Sequence, residues 1–441
     1  MKFTKFGKAL LISALSAGVV LGVSSCIQSY SVGYLYVTGT VTGQSGSNGI
    51  ISGYKIEHNT GQLTTINGLP VSSGGANPVR AVLISGSRFL YVLNRGVNTA
   101  GTANCSGTSG STVCNGSNIE QFAVGGNGIL TPQATYYTQG LNPFRMIADS
   151  SGNFLMILDH DSPSSASCAA ALGTSVTACG DITIFKIDST TGRLSLITNT
   201  QGTSTLGSSL TYFPVPANPI DFVLDGSYVL TLSGTSTTGD SVFPYAYTAS
   251  SGQLSLTQNT SQPLSIKQAT SIVVAGGYLY VLDNEAPSSN STGAVSMIIP
   301  YTLGSAGALQ ATTDGQVAND PTLANPSYLM VSGSYLYVAN QGNNPQNTSN
   351  AYSGITGYVI TTSPAFHLAF TTPSTFGTGS GPQCIVEDPS NQYIYTANYT
   401  DSTVTGHVLN PQAGVLTDLR VASSYTLTGP PTWCLMDGRT N

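Results

Sequence analysis

The feature that most constrains this chain is a short apolar run that returns seven times. Its full form is aromatic-aliphatic-Tyr-aliphatic. The copies are Tyr34-Leu35-Tyr36-Val37, Phe89-Leu90-Tyr91-Val92, Phe154-Leu155-Met156-Ile157, Tyr228-Val229-Leu230-Thr231, Tyr278-Leu279-Tyr280-Val281, Tyr335-Leu336-Tyr337-Val338 and Tyr393-Ile394-Tyr395-Thr396. They start 55, 65, 74, 50, 57 and 58 residues apart. β-Branched and aromatic residues favour the pleated strand. A fixed unit at this spacing cannot bury its apolar face alone and must stack on its neighbours.

Two further motifs complete each unit. Before most copies stands Asn-Pro or Gly-Pro, at Asn77-Pro78, Asn142-Pro143, Asn218-Pro219, Asn325-Pro326 and Gly381-Pro382, opening another strand. After the copies comes a strand, a turn with Gly, and a Leu or Val-Leu. Examples are Ile51–Ile56 before Gly61-Gln62-Leu63 and Ile182–Ile187 before Gly192-Arg193-Leu194. Each repeat therefore holds four strands, A to D: Pro-led, Tyr-rich, amphipathic, and Gly-x-Leu. The first Tyr-rich strand has no A strand ahead of it. After the last D strand a lone A strand follows, Pro431–Asp437, which resembles Pro382–Asp388. A ring split in this way is closed by its C-terminal strand. The expected fold is all-β: a seven-bladed β-propeller over residues 34–441, whose closure leaves only short edges.

Composition agrees. Only 7% of the 441 residues are charged, against about 25% in an average soluble protein. The sequence MKFTKFGKAL LISALSAGVV LGVSSC reads as a positive segment, an apolar run from Ala9 to Val23, and a small-residue stretch ending in Cys26. Fifteen apolar residues are short for a membrane span. We expect residues 1–25 to be a cleaved signal peptide and residues 26–33 a tether, with Cys26 carrying the lipid. The alternatives are an ordinary signal peptide with a chance Cys, or an uncleaved anchor. No Asp follows Cys26, so the outer membrane is the expected destination, with contact through the lipid alone. Removing Lys2, Lys5 and Lys8 with the leader leaves 10 basic against 19 acidic side chains, a net charge of −9. No basic stripe could neutralise phosphates, which argues against a nucleic-acid partner.

Six Cys remain, and export favours disulfides. Cys105 and Cys114 share one long B-to-C insertion, about 93–118. Cys168 and Cys179 share the next, about 159–181. Cys384 and Cys434 stand at what read as equivalent places on the A strands of neighbouring blades, where a bond would fasten the closing strand.

The A and B signatures with the following Gly-x-Leu resemble the lactonase-type seven-bladed propellers, the family of 6-phosphogluconolactonase and the carboxymuconate-cyclising enzymes. The resemblance covers roughly residues 30–441. It implies a pocket at the mouth of the central channel, lined by His, Arg and carboxylates, with a polar residue two positions after the Pro of each A strand. That ring reads here Arg80, Arg145, Asp221, Ser271, Tyr328, Cys384 and Cys434. It holds two Arg and one Asp but no His, a departure from the family pattern that puts lactone hydrolysis in doubt.

We therefore take Arg80, Arg145 and Asp221 as ligand-binding candidates, the two guanidiniums clamping a carboxylate or phosphate; the alternative is that Arg80 and Arg145 pair with neighbouring acids. The ends of the B strands, Asn94, Asp159, Asp283, Asn340 and Asn398, are expected to share that mouth; the alternative is that they cap turns. Asp159 or His160 is the candidate general base, although His160 also suits a surface loop. No metal-ligand spacing is recognisable, and no cofactor is expected. The first expectation is a binding propeller for a small anionic molecule such as a sugar acid, or for a protein partner. The alternatives are a lactone hydrolase and a structural envelope protein.

Overall fold

The computed structural model describes residues 30–41, 48–98, 114–202, 209–234, 239–257, 261–284, 296–312, 317–342 and 353–438, apart from 85, 87, 265, 267, 320–322 and 324. The signal peptide, Cys26 and the Cys105–Cys114 pairing lie outside the described residues.

Seven antiparallel sheets follow the predicted A-B-C-D order. Blade 2 pairs Pro78–Leu83, Phe89–Asn94, Asn118–Val124 and Leu130–Tyr136 in sequence. Blade 1 is completed across the termini. Its B strand Ser31–Gly39 pairs with the closing strand, Tyr36 opposite Leu435 and Val37 opposite Cys434. That B strand begins inside the stretch read as tether, because residues from Ser31 already pair with the C strand at Glu57. In five blades a short extra strand also pairs with the C strand, as Phe213–Pro216 does in blade 3. Among the described residues no helix is long and apolar enough to cross a membrane.

The core is divided by interface rather than shared. Seven apolar clusters each join two adjacent blades. Leu90 and Val92 of blade 2 pack with Tyr34 and Tyr36 of blade 1, and Leu230 of blade 4 packs with Leu279 of blade 5. The Tyr at the third place of the B motif bolts five of the seven interfaces. Its hydroxyl donates to a carbonyl in the C-D turn of the next blade: Tyr36 to Gly128 at 2.8 Å, Tyr337 to Gly414 at 2.9 Å, Tyr395 to Gly61 at 2.7 Å, and Tyr91 to Gly192. These turn glycines have φ between 66° and 80°, a region that disfavours any side chain. Gly192 also sits flat on Phe89, where a Cβ would come within 2.4 Å of the ring. Blades 3 and 4 carry Met156 and Leu230 at the bolt position. Tyr247 instead reaches back to Asp149 at 3.2 Å, and the Tyr228 hydroxyl accepts from the Ala306 amide at 3.0 Å.

The A strands form the inner wall. Each meets the A strand of the next blade, and Pro382–Glu387 meets Pro431–Asp437, so the wall is a closed circle. The Asn before four of the A-strand prolines adopts φ of 52–58°, which a short polar side chain tolerates. The Cys384–Cys434 disulfide joins the last two A strands, and Cys168–Cys179 staples the blade 3 insertion. That insertion, read as a loop, contains the helix Ser165–Leu172. Its Ala-rich run is good helix sequence, and Ser167 anchors it by hydrogen bonds to the Ser164 carbonyl (2.6 Å) and the Tyr212 hydroxyl (2.7 Å).

Candidate functional site at the channel mouth

Register fixes which side chains face the channel. Arg80 opposes Leu93, Arg145 opposes Leu158 and Asp221 opposes Leu232 on the adjoining B strands. In blade 1 the equivalent partner, Thr38, opposes Trp433. The seventh ring residue is therefore Trp433, not Cys434, which lies one place further along the strand. The expected equivalence of Cys384 and Cys434 is off by one, although their bond forms.

The same parity corrects the B-strand ends. Asn94, Asp159, Asp283, Asn340 and Asn398 are buried and do not line the mouth. Asn94 binds Ser73 and Asn118; Asn340 binds Asn319 and Thr356; Asn398 binds Thr403 and Thr405. They tie the blade together from within. The residues one step on from four of these, Arg95, His160, Gln341 and Tyr399, line the cavity instead, as does Gly234 after Ser233. Side chains alternate along a strand, so a displacement of one residue changes the face.

The cavity holds about 980 Å³ and is also lined by Arg80, Phe144, Arg145, Gln383 and Thr432. Three of the chain's 13 Lys and Arg thus converge on one space. Arg80 lies over Trp433, its guanidinium carbon 3.7 Å from the ring centroid, and Tyr328 meets that ring edge-on at 5.1 Å. Among the described residues Arg80 has no carboxylate within ion-pair distance, and one Nη1 bond to the Val79 carbonyl (2.9 Å) holds it. Burial, then the charge of Arg145, pushes its pKa well down, with Asp221 and Tyr328 pulling the other way. A guanidinium stays protonated at physiological pH, so the direction records an undercompensated positive charge. Arg95 is pushed down for similar reasons, by burial and then by Arg145, against Asp161.

Arg145 differs. Its Nε donates to Asp221 Oδ1 at 3.2 Å and its Nη1 to the Phe144 carbonyl at 3.3 Å. Asp221 does not line the cavity. It also accepts from the Phe222 amide (3.0 Å), the Ser271 hydroxyl (3.1 Å) and the Ile272 amide (3.1 Å). Asp221 therefore positions Arg145 and ties blade 4 to blade 5, with no free oxygen left to hold a ligand.

Of the two candidate bases, Asp159 is enclosed. It lies across the strand pair from Asp181, both fully buried, with Gly140 so close that a Cβ there would come within 2.2 Å of Asp181. Burial pushes the Asp159 carboxyl up to about 7, against hydrogen bonds from Thr138, Thr183, Asp181 and the Gly140 amide. Burial and the Asp159 charge raise Asp181 well above the ordinary carboxylate range. Burial and like charge disfavour ionising both together, and neither lines the cavity. His160 does face the cavity, its Nδ1 3.1 Å from Asp161 Oδ1. Among the described residues no cluster of three His, Cys, Asp or Glu side chains could hold a metal ion.

Sequence reading missed Arg95, Tyr399 and Trp433. The available signal was strand parity, since each stands one residue from a position singled out.

The family described as lactonase, 7-bladed beta-propeller, matches residues 291–432, and a short LVIVD repeat matches residues 267–286. No curated protein sequence matches the chain. Solved structures with the same fold include a candidate 6-phosphogluconolactonase from Bacteroides fragilis, with a TM-score of 0.63 and 15% identity over 92% of this chain and 98% of that one. Another is the periplasmic gluconolactonase of Pseudomonas aeruginosa, with a TM-score of 0.61 and 16% identity over 92% and 99%. The chain has the fold of a seven-bladed β-propeller, and its residues 291–432 match the lactonase-type family of that fold.

Proposed function

We propose that this propeller binds a small anionic ligand, a sugar acid or its phosphate, at the channel mouth. The observation that carries the reading is the convergence of Arg80, Arg95 and Arg145 on one cavity, with Arg80 lacking a carboxylate partner among the described residues. Guanidiniums with donors to spare recognise carboxylates and phosphates by paired hydrogen bonds. The protein works outside the cytoplasm, held by a lipid on Cys26. Two buried disulfides and the lipobox-like leader support this.

A second reading, lactone hydrolysis, is favoured by His160. Asp161 at Nδ1 would leave Nε2 as the basic nitrogen, suited to activating water on a lactone carbonyl. Both lactonase-type neighbours carry names consistent with that chemistry. The test is a panel of gluconate, 6-phosphogluconate and the corresponding lactones, by calorimetry and by turnover, on wild type and His160→Ala. Binding without turnover, unchanged in His160→Ala, is expected of the binding reading. Turnover that vanishes in the variant promotes the hydrolase. No binding at all overturns both.

A further inference from the structure

The mouth is larger than one sugar acid requires and its two sides differ. Its volume of about 980 Å³ stands at the upper end of the roughly 300–1,000 Å³ found for ligand pockets. The arginines come from blades 2 and 3. The opposite wall, from blades 6 and 7, offers Gln341, Gln383 and Tyr399, with no charge. Tyr399 is 46% exposed, and among the described residues its hydroxyl makes no hydrogen bond and its ring no aromatic pair. The Gln341 amide is likewise unpaired there.

These two side chains stand on a prepared frame. The Ser353 hydroxyl donates to the Gln341 carbonyl at 2.8 Å and accepts from the Gly381 amide at 3.2 Å. The Gly381 carbonyl accepts from the Tyr399 amide at 2.8 Å. A hydrogen-bonded path thus crosses from blade 6 to blade 7 and fixes where the aromatic ring and the amide begin. A rigid, uncharged wall with an open aromatic face and a free amide suits the C–H face and hydroxyls of a neutral sugar ring.

We infer that the ligand is an acidic oligosaccharide: the arginines of blades 2 and 3 hold the carboxylate of one residue while Tyr399 and Gln341 hold the following sugar. This rests on the anion-binding reading and adds a second subsite to it.

The experiment is calorimetry on the full chain with D-galacturonate, its α-1,4-linked trimer and ADP. The trimer is expected to bind about tenfold or more tightly than the monomer. Tyr399→Ala and Gln341→Ala should each remove most of that gain and leave monomer affinity within about twofold. Arg80→Ala should weaken both sugars together. Equal binding of monomer and trimer overturns the second subsite while leaving the anion reading intact. So does an equal loss of both in Tyr399→Ala. ADP binding more tightly than the trimer overturns the sugar. If neither uronate binds while 6-phosphogluconate does, this inference falls and the anion reading stands; if 6-phosphogluconate also fails to bind, both fall.

Discussion

The two halves of the channel mouth are built on the same strands but carry different chemistry. Blades 2 to 4 supply Arg80, Arg95, Arg145, His160 and, behind them, Asp221. Blades 6, 7 and 1 supply Gln341, Tyr399, Gln383 and Thr432. The lactonase family match, residues 291–432, runs through the neutral half and stops short of every arginine at the mouth. The stapled insertion of blade 3 stands on the charged half. The repeat accounts for the ring, while the three arginines of the mouth lie outside the matched segment. A propeller permits this because each blade contacts only its neighbours, so insertions and charges in one need not disturb the rest.

The largest effect that could break this comparison is on ligand affinity. Arg80→Ala with Arg145→Ala should cost roughly 2–5 kcal/mol of binding to gluconate or 6-phosphogluconate, the scale for unpairing a buried charge. Thr432→Ala and Gln383→Ala, on the neutral side, should cost under about 1 kcal/mol for the same monomeric ligand. Calorimetry on the double variant and the two single variants decides it. Similar losses on both sides would erase the distinction.

Disulfide removal separates the halves in another way. By the chain-entropy estimate, the 50-residue separation of Cys384–Cys434 is worth about 4 kcal/mol and the 11-residue separation of Cys168–Cys179 about 3 kcal/mol. Serine pairs at each site should lower denaturant midpoints in that order. Only loss of the Cys168–Cys179 bond, which staples the insertion following His160 and Asp161, should also weaken ligand binding.

A smaller effect is expected from pH. The folded pKa of Asp159 is raised to about 7, above its unfolded value near 4, so the folded chain binds the extra proton across that window. The contribution is favourable at low pH and is lost as pH rises through 7. Asp181→Asn relieves the shared charge. We expect that variant to gain about 1–3 kcal/mol relative to wild type at pH 8, and little or nothing near pH 4, in melting curves. A parallel shift at both pH values would show that the pair holds no proton.

The seven Tyr-rich runs and the split repeat made the ring legible in the sequence, because both rest on periods that local residues impose. Arg80 and Arg145 were legible for the same reason: a fixed step after Pro. The site was read one residue astray wherever it depended on parity at a strand end. Asn94 and Asp159 look like mouth residues in the sequence, yet Arg95 and His160 face the cavity, and only the register decides which. The partnership of Asp159 with Asp181 was hidden because they are 22 positions apart and meet only across a strand pair. Pairing of Arg145 with an acid was legible as an alternative, but not that the acid is Asp221, since that contact joins blades 3 and 4.

The most direct test of the charged half is a crystal structure grown with saturating 6-phosphogluconate. The account predicts a carboxylate or phosphate at hydrogen-bond distance, about 2.7–3.2 Å, from Arg80 and from Arg95 or Arg145. A mouth that stays empty of ligand, or a ligand held by the neutral wall without an arginine contact, would contradict it.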